Sequence, residues 1–156
     1  MKVTVVQLPP TQVIKICHVG PYDQLGPIFG KLWGWIENTG VQASRSIGIY
    51  YDNPDITPAK ELRSAACAEV AIGFQLGDTG GLPIEIDQIR AGDYAMTRHT
   101  GPYESLEPVW TEFTAYIENS LRRTISESSP AFEVYVNDPA DVAPSALITD
   151  LFMPLD

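Results

Sequence analysis

The 156-residue chain repeats itself, and that repeat limits its fold more than any other feature. His18-Val19-Gly20-Pro21-Tyr22-Asp23-Gln24-Leu25 returns 81 positions later as His99-Thr100-Gly101-Pro102-Tyr103-Glu104-Ser105-Leu106. The match continues through Pro27/Pro108, Phe29/Trp110, Trp35/Tyr116 and Ile36-Glu37-Asn38/Ile117-Glu118-Asn119, so that nine of 21 positions agree between 18–38 and 99–119. Tyr50-Tyr51-Asp52-Asn53-Pro54 then answers Tyr135-Val136-Asn137-Asp138-Pro139 at an offset of 85. Two long copies predict a duplicated unit with pseudo-twofold symmetry, whereas a solenoid needs three or more repeats.

Each copy reads in the same order. A β-rich stretch comes first, at 13–18 and 94–99, and Gly-Pro-Tyr then turns the chain. Proline suits the first turn of a helix, where its missing N–H would have no intrahelical partner. Helices are expected at 21–38 and 102–122, with Pro27 and Pro108 offsetting or kinking their starts. Their apolar stripes run Leu25, Ile28, Phe29, Leu32, Ile36 and Leu106, Val109, Trp110, Phe113, Ile117, at the i, i+3, i+4 spacing of a one-sided helix. Two strands close each unit, at 47–51 with 66–72 and at 132–137 with 146–153. The Asp-, Asn- and Pro-rich loops 52–58 and 138–144 lie between them. Strand 3–8 leads into copy one and strand 84–90 into copy two, with 77–83 as the linker between repeats 1–76 and 84–156. The expected architecture is α+β. It is one domain of two strand–helix–strand–strand units, with an eight-stranded antiparallel sheet, both helices on one face and a cleft at the junction.

Composition narrows the function. The 44% apolar content is that of a globular chain, and no run approaches the ~20 apolar residues a membrane helix needs. The N-terminus lacks the pattern of a secretory signal. Cys17 and Cys67 are too few for a disulfide framework or a structural zinc site, which fits the cytoplasm. The net charge of −10 disfavours nucleic acid, whose binding rests on Lys and Arg at phosphates. The densest basic pair, Arg122-Arg123, sits at an expected helix end, where cations suit the dipole. No phosphate loop, nucleophile elbow or metal-spaced cluster occurs, and no cofactor is expected.

Candidate site residues are those where the copies differ, because shared residues are explained by shared architecture. Glu133 sits mid-strand where copy one has Gly48. Alternation puts it with Tyr135 and Asn137, opposite Phe132, Val134 and Val136. Two readings stand: a half-buried strand whose Glu faces water, or a carboxylate held in an aromatic cleft to attract a cation or act as a base. Trp33 stands opposite Thr114, whereas Trp110 and Phe29 share one edge of their stripes. Singly each tryptophan reads as core; as a set beside an acid they read as a cage for a flat or cationic molecule. Tyr22 and Tyr103, in the first helical turns, either cap the cleft or staple the helix. His18 and His99 precede Gly-Pro-Tyr in both copies, which points to a local hydrogen-bonding role. Asp52 and Asp138 read as solvated turn residues.

The Tyr50–Pro58 run followed by Glu61-Leu62-Arg63, the twin Gly-Pro-Tyr turns and Phe132-Glu133-Val134-Tyr135 together resemble the GyrI-like family over nearly the whole chain. That family includes SbmC-type DNA gyrase inhibitory proteins and the effector-binding domains of BmrR- and Rob-type regulators. The resemblance implies a duplicated fold whose central cleft takes amphipathic, often cationic compounds over a buried glutamate, at the position of Glu133. It also implies Trp110, Trp33, Tyr103 and Tyr135 as lining. The leading expectation is a small-molecule-binding protein that sequesters toxic or signalling compounds. The alternatives are an inhibitor of DNA gyrase, and a hydrolase of cyclopropane-bearing DNA-alkylating compounds with Glu133 as general base.

Overall fold

The β-branched and alternating stretches of the sequence become eight strands, and the two apolar stripes become two helices. In the computed structural model, which describes residues 1–156, the order is β1 (Thr4–Leu8), β2 (Thr11–Val19), α1 (Leu25–Thr39), β3 (Ser46–Tyr50), β4 (Arg63–Glu69), β5 (Ile84–Ile89), β6 (Gly92–Thr100), α2 (Leu106–Tyr116), β7 (Ala131–Tyr135) and β8 (Ile148–Pro154). The fold is α+β, and the chain divides into two compact units, Met1–Pro9 with Ala91–Asp156, and Pro10–Arg90. In the first, the strands run β1–β6–β8–β7; in the second, β5–β2–β4–β3, with antiparallel neighbours throughout.

The repeat survives in register. His18 lies opposite Ser64 and Ser64 opposite Tyr50, as His99 lies opposite Thr149 and Thr149 opposite Tyr135. The leading strands, however, change places. β1 pairs with β6 of the second copy, and β5 pairs with β2 of the first. Pro9 and Pro10, which donate no backbone N–H, interrupt the ladder between β1 and β2 and let them join different units. The expectation that 3–8 and 84–90 each lead their own copy is thereby corrected. The segment 77–83 is no linker either. It lies inside the Pro10–Arg90 unit, where the Trp35 indole N–H donates to the Asp78 carbonyl at 3.2 Å and Leu82 packs on the core.

The helices bury the faces their periodicity announced. Leu32, Trp35 and Ile36 of α1 pack on Ile14, Ile16, Ala68 and Ile84, and Leu106 and Phe113 of α2, with Ile117 just beyond it, pack on Ala95, Leu151 and Leu155. Full burial of side chains of this size stabilises by roughly 1.5–3 kcal/mol each, so these two clusters carry much of each unit's cohesion. Pro27 and Pro108 fall in the first helical turns, each behind a short 3-10 turn (Tyr22–Gln24, Tyr103–Ser105), where a missing N–H costs nothing. No helix is long and apolar enough to cross a membrane.

The second helix departs from the first at its end. α1 has fifteen residues and closes on Gly40 in the left-handed region (φ 72°). α2 has eleven, followed by a five-residue π turn (Ile117–Leu121) that absorbs one extra residue before the cap. The cap is Arg122, a non-glycine residue with positive φ (53°). Arg123 pairs with Asp93 at 3.2 Å, so both arginines serve the helix end. Left-handed backbone costs an L-residue about 1–2 kcal/mol. Arg122→Gly should therefore raise unfolding stability by about 1 kcal/mol in urea denaturation, the glycine's own entropy cost offsetting part of the gain; a loss of stability would show that the arginine side chain outweighs the strain.

Candidate functional site

The two strand faces alternate as the sequence predicts, and they decide what becomes of Glu133. It sits at the centre of β7, opposite Leu151 of β8, whose side chain belongs to the cluster under α2. Glu133 thus points to the helix side and is only 4% exposed. Of its two readings, the solvated one is ruled out.

A buried carboxylate is tolerable only with hydrogen-bond donors on its oxygens. Two aromatic side chains supply them. The Trp110 indole N–H, from the second turn of α2, donates to Oε1 at 2.6 Å. The Tyr135 hydroxyl, two residues along the same strand, donates to Oε2 at 2.7 Å. Indole nitrogen can only donate, so Oε1 is an acceptor whatever the proton count. These are short, charge-assisted bonds of the stronger kind. Trp110 tilts against Phe113 at 5.7 Å between centroids, and Tyr103 meets Tyr135 edge-on at 5.5 Å and 68°. Four of the six residues named from sequence, Glu133, Trp110, Tyr135 and Tyr103, therefore form one cluster.

Tyr22 and Trp33 lie in the Pro10–Arg90 unit, and each has a local partner there. Tyr22 packs edge-on to Tyr50 at 4.8 Å. Its hydroxyl donates to the Asp52 carbonyl at 2.6 Å and accepts the Asp52 N–H at 3.0 Å, which fastens the following loop. The Trp33 indole N–H reaches the Ser46 hydroxyl at 3.3 Å.

The histidines are held less symmetrically than the repeat implies. Gly20 and Gly101 have φ of 141° and 150°, and a Cβ there would lie 3.1 and 3.0 Å from the Nε2 of His18 and His99. Each imidazole thus packs over a glycine, which explains the spacing of the His-x-Gly-Pro-Tyr motif. Ser105 Oγ donates its one proton to the Pro102 carbonyl at 2.6 Å, so His99 Nε2–H must donate to Ser105 at 2.8 Å. That polarity makes His99 no base for Ser105. In copy one, Gln24 replaces the serine, and His18 Nε2 has no such partner.

Asp52 is not the solvated turn residue the sequence implied. It accepts the Arg63 backbone N–H at 2.8 Å and pairs with the Arg63 guanidinium at 2.8 and 3.0 Å, and that guanidinium holds its carboxyl below the usual carboxylate range. Asn137 takes the equivalent place, accepting from Ile148 N–H and donating to the Ala146 carbonyl, both at 2.9 Å. Asp138 caps the turn after it through Ala140 N–H at 2.8 Å. These loop clasps went unforeseen, although the Asp/Asn at the same repeat position was their visible signal. No three His, Cys, Asp or Glu side chains converge as a metal centre would require.

A twice-built α+β scaffold that buries a hydrogen-bonded carboxylate among aromatics, in the second copy and with glycine at the same place in the first, is that of a small-molecule-binding domain. The chain belongs to the GyrI-like small molecule binding domain family, which matches it over residues 1–156. DNA gyrase inhibitor 1 of Dickeya dadantii is 32% identical over 121 residues, 77% of this chain and 78% of that one. EcmrR, solved in complex with DNA, shares the fold at a TM-score of 0.82 and 15% identity, over 99% of this chain and 57% of its own. SAV2435 bound to tetraphenylphosphonium does so at 0.65 and 14%, over 100% of this chain and 94% of its own. At these identities the two structures speak to fold alone.

The Trp110–Glu133 bond is testable by asking whether the second copy tolerates the residues of the first. Trp110→Phe (as Phe29) and Glu133→Gly (as Gly48) should each destabilise, and in a double-mutant cycle by urea denaturation their costs should couple by about 1–3 kcal/mol. Strictly additive effects would mean that the bond contributes nothing.

Proposed function

We propose that this chain binds amphipathic or planar organic cations at Glu133 and thereby sequesters toxic or signalling compounds. The carrying observation is a buried carboxylate whose two oxygens are oriented by Trp110 and Tyr135. Charge in a poorly solvated setting attracts a counter-charge more strongly than in water. Because each oxygen already accepts a hydrogen bond, the site favours a cation that is large and diffuse over one that demands new, closely directed bonds. The aromatic rings of Trp110, Tyr135 and Tyr103 add dispersion and cation–π attraction. The tetraphenylphosphonium carried by SAV2435 is a cation of this kind. Tyr22 and Trp33 keep structural roles in this reading, since Asp52 and Ser46 engage their polar atoms.

The same bonds weigh against hydrolysis. A general base needs a lone pair aimed at the proton it removes, and the Glu133 lone pairs that face Trp110 and Tyr135 are already engaged. Glu133→Gln tests the binding reading with little risk to the fold, because an amide can accept from Trp110 and donate to the Tyr135 oxygen. Calorimetric titration with tetraphenylphosphonium should show saturable binding by wild type and at least ~10-fold weaker binding by Glu133→Gln, a change of about 1.4 kcal/mol. Equal affinities would remove the carboxylate from the site.

A second reading, inhibition of DNA gyrase, is favoured by the relative of that name at 32% identity. The net charge of −10 would let the surface compete with DNA for a basic partner. Purified protein should then slow gyrase supercoiling in a dose-dependent, salt-sensitive way. Unaltered supercoiling at excess protein would leave sequestration standing alone.

A further inference from the structure

Tyr22 and Tyr103 are one residue in two copies, yet the structure uses their hydroxyls differently. That of Tyr22 is engaged twice, donating to the Asp52 carbonyl at 2.6 Å and accepting the Asp52 N–H at 3.0 Å. Tyr103 packs by its ring against the α2 core and edge-on to Tyr135, and its hydroxyl makes no hydrogen bond to the protein. The loop it would fasten is closed instead by Asn137, through Ala146 and Ile148.

The other donors of this cluster are committed: Trp110 N–H and Tyr135 O–H both go to Glu133. Tyr103 is near enough to feel the carboxylate. Burial, and then the charges of Asp138 and Glu133, push its pKa above the ordinary tyrosine value, so the hydroxyl keeps its proton at neutral pH and remains a donor. A half-buried donor beside a charged group, with no protein acceptor, is what a ligand acceptor would complete.

We propose that Tyr103 is the specificity-determining residue of the Glu133 site. Its hydroxyl donates to an acceptor oxygen on the bound organic cation, so cations with an ether or carbonyl oxygen near the charge gain over pure hydrocarbon cations of equal size. This rests on the cation-binding reading above. No bond to carbon is made or broken; the hydroxyl exchanges water for the ligand oxygen.

Butyltriphenylphosphonium and (2-methoxyethyl)triphenylphosphonium make the test, since they match in charge and shape and differ by one ether oxygen. The quantity read is the ratio of their Kd values, butyl over methoxyethyl, for wild type and Tyr103→Phe. The ratio should fall about 3- to 10-fold in Tyr103→Phe, the range of one net hydrogen bond. An unchanged ratio overturns the proposal and leaves the cation reading intact. Failure of both ions to bind wild type overturns the cation reading and this proposal with it. A ligand-free measurement adds a second check. Tyr22→Phe, which deletes a loop clasp, should lower Tm, and Tyr103→Phe should leave it unchanged. An equal drop for Tyr103→Phe would mean that its hydroxyl already serves the fold, which also overturns the proposal.

Discussion

Placing a carboxylate on the inner face of a strand sets terms that the surrounding residues must meet. Glu133 cannot reach water from the middle of β7, and an ionised group left without donors there would cost several kcal/mol. The helix must therefore present a donor at one height, and the strand another two residues along. Trp110 and Tyr135 meet those terms because α2 is seated on β8 by Phe113 and Ile117, and because the pleat returns Tyr135 to the same side as Glu133. The apolar packing of the second copy thus has two duties. It holds the unit together, and it fixes the distance over which an indole and a phenol can share one carboxylate.

The first copy shows the same scaffold without that demand. Where the glutamate would stand there is Gly48, where the indole would reach down there is Phe29, and the helix-turn tyrosine fastens a loop. Both copies keep the imidazole packed over a glycine at the entrance to the helix and the small hydroxyl residue between histidine and tyrosine in the sheet. Duplication followed by divergence at a few positions is the physical content of the arrangement. The shared residues maintain turns, caps and strand register, and the unshared ones place a hydrogen-bonded carboxylate in one copy and a glycine in the other.

Much of this was legible from residue order. The period of 3.6 in the two stripes located both helices, and the comparison of copies isolated Glu133 and Trp33. Local chemistry was read less well. Asp52 looked like a loop acid because its partner, the backbone N–H and guanidinium of Arg63, arrives from eleven residues away. The two histidines looked equivalent because nothing in the motif says that serine at 105 can complete a bond that glutamine at 24 does not. The segment 77–83 looked like a linker because glycine and proline mark turns whether or not those turns pack on a core.

The sequence by itself determined the duplication, the element order, the class of fold and the position where an acid replaces a glycine, because periodicity and repeat spacing are local properties of the chain. Only the tertiary structure decided that β1 and β5 exchange units, since pairing partners depend on where Pro9 and Pro10 let the ladder break. It also decided that Glu133 turns inward and meets Trp110 and Tyr135. Alternation divides a strand into two faces, but which face is covered depends on where a helix some twenty residues away comes to rest. The difference between Tyr22 and Tyr103 likewise required coordinates, because identical residues in identical motifs differ only in whether a backbone carbonyl stands within reach of the hydroxyl.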